Sequence, residues 1–190
     1  MKRWLARRIL EVFGWKVEGE RPAPKHYVLI AAPHTSNWDF PLLILFAAAF
    51  DMKISWLAKH SLFKPPMGFI MRALGGVPVV RNKNSNVVDA MADSFVGQEE
   101  LAVVVPAEGT RSRTEHWKSG FYHIAMKADV PIIPSYLDFG QKRGGFGPPL
   151  ILTGDMTQDM DVLRTFYAPM SGKFADQFGP VRLREENSDA

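Results

Sequence analysis

A histidine and an aspartate five residues apart, His34 and Asp39 in Pro33-His34-Thr35-Ser36-Asn37-Trp38-Asp39, are the side chains of this sequence best suited to moving a proton. An imidazole with a carboxylate in reach is the minimal general-base pair. The carboxylate holds the ring in one tautomer and stabilises the imidazolium that forms when a hydroxyl gives up its proton. Far along the chain, Glu108-Gly109-Thr110-Arg111 combines an acceptor, a flexible glycine, a hydroxyl and a guanidinium. Arginine binds phosphate through a fixed, bidentate charge, and glycine lets a backbone approach a ligand closely. Arg81, in Arg81-Asn82-Lys83, and Lys118 are further cations able to anchor phosphate or add positive potential. Each of these residues also has a plainer structural use. His34 would close a strand, Asp39 would be a charge at a helix N-terminus, and Glu108 and Arg111 would form a surface turn with an ion pair worth little energy.

Other chemistries lack their residues. There are no cysteines, hence no disulfide framework, thiolate nucleophile or Cys-based metal site, in keeping with a reducing compartment. His26, His34, His60, His116 and His123 are scattered, and none has His or Cys four residues on, so no metal cluster is expected. Neither a phosphate-cradling glycine loop nor a Gly-x-Ser-x-Gly elbow is present. With 46% apolar residues, 23% charged residues and a net charge of +3, the composition is that of an ordinary globular domain and gives no reason to expect nucleic acid.

The elements that must position these residues follow from hydrophobic spacing. Residues 1–20 are read as an amphipathic membrane-interface helix with its following turn. At about 100° per residue, Leu5, Ile9, Val12 and Phe13 share one side, and Arg3, Arg7, Arg8 and Glu11 the other, with Trp4 among them. Residues 21–184 are read as one domain, and 185–190 as a disordered polar tail. Strands are expected at 26–32, ending next to His34, and at 54–58, 77–80, 101–105, 132–137 and 150–153. Helices are expected from Ser36 or Asn37 to about Phe50, read as buried, and at 65–74, 86–96, 121–127 and 159–166. Gly140 to Pro149 reads as a flexible turn. Strands alternating with helices predict an α/β fold, a mixed and largely parallel sheet flanked by helices. Both informative patches then lie beyond the carboxyl ends of strands. No stretch approaches the roughly 18–20 continuous apolar residues of a membrane span. The basic N-terminus lacks the apolar core and cleavage site of a secretory signal.

In this order the patches resemble the glycerophospholipid acyltransferase family, relatives of lysophosphatidic acid acyltransferase. His34 to Asp39 looks like the family's H-x-x-x-x-D block and Glu108 to Arg111 like its E-G-T-R block. Gly75 to Arg81 looks like its second block, Val130 to Pro134 like its fourth, and Lys118-Ser119-Gly120 like its Lys-x-Gly step. The sequence departs from the pattern at Pro78-Val79-Val80, where an aromatic and an acid are usual, and at Ala107, where proline is usual. The resemblance implies transfer of a fatty acyl group from acyl-CoA or acyl-carrier protein, as co-substrate and without cofactor or metal, to a glycerophosphate or lysophospholipid. In that reading His34 is the base and Asp39 orients it. Arg81 and Arg111 bind the acceptor phosphate, Glu108, Gly109 and Thr110 shape the acceptor pocket, and Lys118 adds positive potential. An anionic membrane surface, at the cytoplasmic face of the cell membrane, is the expected partner. A thioesterase using the same pair, and a non-catalytic lipid-binding protein, are the alternatives.

Overall fold

Short apolar runs and helical spacings alternate along the chain, and in the computed structural model, which describes residues 2–79 and 87–187, they pack as helices on both faces of one sheet. The elements in chain order are α1 (Arg3–Val12), β1 (Lys16–Val17), β2 (His26–Ala31), α2 (Asp39–Ala49), β3 (Ile54–Lys59), α3 (Met67–Ala73), β4 (Gly76–Val79), α4 (Val87–Asp93), β5 (Leu101–Val105), α5 (Gly120–Ala128), β6 (Ile132–Asp138), β7 (Arg143–Phe146) and α6 (Met156–Tyr167). The seven strands lie in the order β1-β7-β6-β2-β5-β3-β4. Adjacent strands are parallel throughout except β6 and β7, which are antiparallel. The expected mixed, largely parallel sheet is therefore present.

The central strands are buried on both faces, so their side chains feed two cores. On one face Val28, Ile30, Val103 and Ile132 meet Phe121 and Ile124 of α5 and Met160, Leu163 and Tyr167 of α6. On the other, Leu29, Val104 and Ile133 meet Phe46 and Ala47 of α2 and Ala6 and Leu10 of α1.

Four expectations are corrected. The segment Gly140 to Pro149, read as a turn, contains β7. Its Arg-Gly-Gly-Phe run hides the strand because glycine has poor strand preference, yet close approach requires glycine here. A β-carbon on Gly144 would stand 2.6 Å from the Phe46 ring, and one on Gly145 2.5 Å from the Glu18 carbonyl oxygen. Residues 150–153 form no strand; Leu150 makes an isolated bridge with Ile132. The tail from 185 begins with an ordered turn of 3-10 helix, Glu185–Asn187, where Glu185 accepts a hydrogen bond from Ser119 and Glu186 one from Arg164. Helix α2 is not wholly buried: Pro41 is exposed, and Leu43, Ile44, Leu45 and Ala48 are half-buried.

Residues 1–20 are built into the domain. β1 adds a strand at the sheet edge, and Trp15 packs edge-on against Phe46 and Phe139. Helix α1 is held on α2 by Ala6 and Leu10, and the Arg7 Nε donates to the Ala49 carbonyl at 3.3 Å. Trp4, Leu5, Val12 and Phe13 remain exposed. The helix thus has a contact face narrower than its apolar stripe. Truncating the fully buried Leu10 to Ala is expected to lower unfolding free energy by roughly 2–5 kcal/mol in a denaturant titration. A change near zero would mean that α1 lies outside the cooperative unit.

Candidate functional site

β2 and β5 are adjacent, parallel and in register, with Ile30 paired to Val105. Their carboxyl ends therefore release two loops side by side. His34 follows three residues after the end of β2, and Glu108 three after the end of β5. Two patches 74 residues apart in sequence meet there. The Glu108 Oε1 accepts a hydrogen bond from the His34 backbone N–H at 2.7 Å.

The start of α2 completes the loop. The Asp39 side chain turns back on its own helix N-terminus, and its Oδ2 accepts from the Ser36 N–H at 2.9 Å and from the His34 Nδ1 at 3.1 Å. An ionised carboxylate only accepts, so Nδ1 carries the hydrogen in this pairing. Nε2 keeps its lone pair. The His34 ring is partly exposed and Asp39 is buried, so the imidazole faces a cavity while its carboxylate is shielded from water.

An apolar cavity of about 470 Å³ opens beside the pair. Phe40, Leu43 and Phe46 of α2, Ile54 and Trp56 of β3, and Leu137 of β6 wall it. His34, Asp39 and Arg111 supply polar groups to it. The pocket brings together a hydrogen-bonded histidine–carboxylate pair, a guanidinium and an apolar wall.

The other expected site residues are placed differently. Glu108 is 0% exposed and is not part of the cavity wall; its contact is with the His34 loop. Burial pushes its carboxyl up to about 7, a rise that the His34 N–H opposes and the nearby Asp39 charge adds to. Gly109 has φ +68°, and a β-carbon there would stand 2.9 Å from the Lys118 stem, so glycine lets Lys118 lie over the turn. Thr110 is exposed, and its hydroxyl accepts from the Ser112 N–H at 3.2 Å. Arg81 lies outside the described residues. No group of three or more His, Cys, Asp or Glu side chains able to hold a metal occurs among the described residues.

Two contributions were missed from sequence. Ser135 of β6 lines the cavity and donates to the Ile30 carbonyl at 2.6 Å. The segment around Gly172 to Phe174 straps the His34 loop: the Phe174 N–H donates to Thr35 Oγ1 at 3.3 Å, and the Lys173 ammonium sits 5.1 Å from the Trp38 ring centre. A β-carbon on Gly172 would stand 2.5 Å from the Thr35 hydroxyl oxygen. The strap has no local motif, because its partners are about 139 residues away in the chain.

The Acyltransferase family model matches residues 14–138. The chain is 32% identical over 139 residues to an uncharacterized acyltransferase of Schizosaccharomyces pombe, covering 68% of this chain and 48% of that one. It is 30% identical over 137 residues to the 1-acyl-sn-glycerol-3-phosphate acyltransferase of Salmonella typhimurium, covering 67% and 54%. The chain thus spans about half the length of the curated relatives it matches. The crystal structure of the 1-acyl-sn-glycerophosphate acyltransferase of Thermotoga maritima shares the fold, with a TM-score of 0.54 at 20% identity over 78% of this chain and 66% of that one.

The raised Glu108 carboxyl makes a stability prediction. The unfolded chain ionises this group near pH 4.5, whereas the folded chain holds the proton to about 7. The contribution is full below pH 4.5 and is lost as the pH rises through 7, an amount of about 3 kcal/mol. Glu108→Gln cannot ionise. Denaturant midpoints compared at pH 5 and pH 8 are expected to show a fall in the parent that the variant lacks. Parallel pH profiles would show that Glu108 titrates normally.

Proposed function

The chain belongs to the Acyltransferase family, and on that premise we propose that it transfers a fatty acyl group from acyl-CoA or acyl-carrier protein to the hydroxyl of a glycerophosphate or lysophospholipid, 1-acylglycerol-3-phosphate foremost. The observation that carries this reading is the His34–Asp39 pair opening onto an apolar cavity whose wall also holds Arg111. His34 Nε2 takes the acceptor's hydroxyl proton as its oxygen attacks the thioester carbonyl carbon. The tetrahedral oxyanion collapses and the carbon–sulfur bond breaks. The departing thiolate takes the proton back from the imidazolium, leaving an ester and a free thiol. Asp39 supports the imidazolium through Nδ1. The reaction as proposed uses the acyl thioester as co-substrate and no other cofactor.

Arg111 and Arg81 are assigned to the acceptor phosphate, with Lys118 adding positive potential and Gly109 and Thr110 shaping the acceptor side. Glu108 acts through the His34 loop as a positioning residue, a role its burial and its bond to the His34 N–H support. The acyl chain occupies the apolar cavity, each methylene gaining about 0.8 kcal/mol on leaving water. A hydrolase using the same pair needs no phosphate ligand, so the guanidinium in the cavity wall favours the transferase.

Membrane attachment is assigned to α1 at the cytoplasmic face of the cell membrane. Its exposed Trp4, Leu5, Val12 and Phe13 would enter the interface, and Arg3 and Arg8 would meet anionic head groups. No helix among the described residues is long and apolar enough to cross a membrane.

The activity is tested by thiol release from a long-chain acyl-CoA with and without lysophosphatidate. Release is expected to depend on the acceptor and to fall roughly 10²–10⁴-fold in His34→Ala. Arg111→Ala is expected to raise KM for lysophosphatidate roughly tenfold or more. Acceptor-independent release that survives Arg111→Ala would establish the hydrolase instead.

The attachment is tested separately with anionic vesicles. Arg3→Glu with Arg8→Glu is expected to weaken binding about tenfold or more, since each cation near such a surface contributes about 1 kcal/mol. Arg7 is left intact because it holds α1 to Ala49 and stacks over Phe50. Unchanged binding would remove α1 from the interface.

A further inference from the structure

A second unpartnered surface lies next to the cavity, distinct from α1. Within nine residues of the α3 region, Leu62, Met67, Phe69 and Ile70 are all exposed, Phe69 to 82%. Single exposed apolar side chains are ordinary, but four large ones on a short segment need a reason. The segment is firmly seated. Met71 and Leu74 pack into the same core as α1 and α2. The Trp56 Nε1 donates to the Leu74 carbonyl at 2.8 Å, and the Arg72 guanidinium lies over the Phe63 ring. Its outward apolar tips are therefore held in place by the fold.

Two observations identify what covers this surface. The first is charge. Among the described residues from Lys53 to Val79, Lys53, Lys64 and Arg72 are all exposed and there is no Asp or Glu. In a chain whose acids and bases nearly balance overall, such one-sided charge around exposed apolar tips matches an anionic lipid interface, where cations meet head groups and apolar side chains enter below them. The second is continuity. Leu62 and Met71 belong both to this region and to the wall of the cavity that His34 faces. Helix α2, packed into the same core, carries no charge after Asp39, and its partly exposed Ile44, Leu45 and Ala48 keep the layer apolar.

We propose that α3 and the turn before it dock on an anionic bilayer as a second contact, independent of α1, so that the cavity opens onto lipid and an acyl substrate passes between membrane and site without crossing water. This rests on the acyltransferase reading only in taking the cavity as the acyl route; the docking itself is read without turnover.

The absence of cysteine allows single-site labelling of the full chain. An environment-sensitive fluorophore would be attached in turn to Phe69→Cys, to Phe13→Cys on α1, and to Val96→Cys, which is 80% exposed beyond α4. Vesicles of mixed phosphatidylglycerol and phosphatidylcholine are expected to blue-shift and brighten the label at 69 severalfold and to leave the label at 96 unchanged. A response at 13 with none at 69 would overturn the proposal and leave α1 as the sole contact. Silence at all three positions would also overturn it. A shift at 69 that grows with protein concentration in the absence of vesicles would assign the surface to a second copy of the chain. As an independent check, Phe69→Ser with Ile70→Ser is expected to weaken vesicle binding about tenfold or more, in both the parent and a His34→Ala background. Unchanged binding would sink the proposal. If the vesicle responses hold while thiol release is absent, the docking stands and the enzymatic reading falls.

Discussion

The in-register parallel pairing of β2 with β5 is the constraint on which the site depends. Parallel neighbours send their next loops out at the same sheet edge, so His34 and Glu108 become neighbours without any local sequence signal between them. The Glu108 carboxyl group then fixes the His34 backbone, and the first turn of α2 brings Asp39 back to the ring. A slip of one residue in this pairing would turn one strand's side chains to the opposite face and part the two patches.

Buried carboxyl groups elsewhere in the molecule show what is unusual here. Asp159 takes hydrogen bonds from the Tyr122 hydroxyl, the Thr153 N–H and the Thr153 hydroxyl. Asp138 takes them from three backbone N–H groups and from Arg143. Those two are saturated and serve the fold. Asp39 Oδ1 and Glu108 Oε2 are buried without a partner among the described residues, and the two carboxyls lie close enough for the charge of one to raise the other. Unpaired polar atoms in a core are costly and uncommon. Two of them behind one histidine support the reading of this place as a site rather than an ion-pair network built for stability.

What could be read from sequence divides along physical lines. Runs with a clear period gave the right elements, β5 at Leu101–Val105 and α3 ending before Gly75-Gly76 among them, because strand and helix spacing is a local property. The His34–Asp39 contact was legible for the same reason: both ends lie within one loop and helix start. Glu108 was legible as a site residue by its type and neighbours. Its burial behind His34 was not, since that depends on strand order. β7 was hidden by two glycines whose necessity appears only when Phe46 and Glu18 are in place. The Gly172–Phe174 strap was invisible because its selection acts across nearly the whole chain.

The apolar stripe of α1 carries the last step. Periodicity put Leu5, Ile9, Val12 and Phe13 together, and the usual inference is that such a stripe faces the core. The fold instead turns Ala6 and Leu10 inward, with Phe13 left 66% exposed. Ala6 is small enough to let α1 lie close on α2, whereas an inward Phe13 would hold it off. The contact therefore uses one margin of the stripe and leaves the rest in solvent. The opposite face of the sheet shows no comparable surplus at its centre among the described residues: Trp117 is buried with Phe121 of α5 and Tyr167 of α6. One face of this sheet has been closed for stability. The other, where the cavity lies, keeps more apolar surface than folding alone can bury.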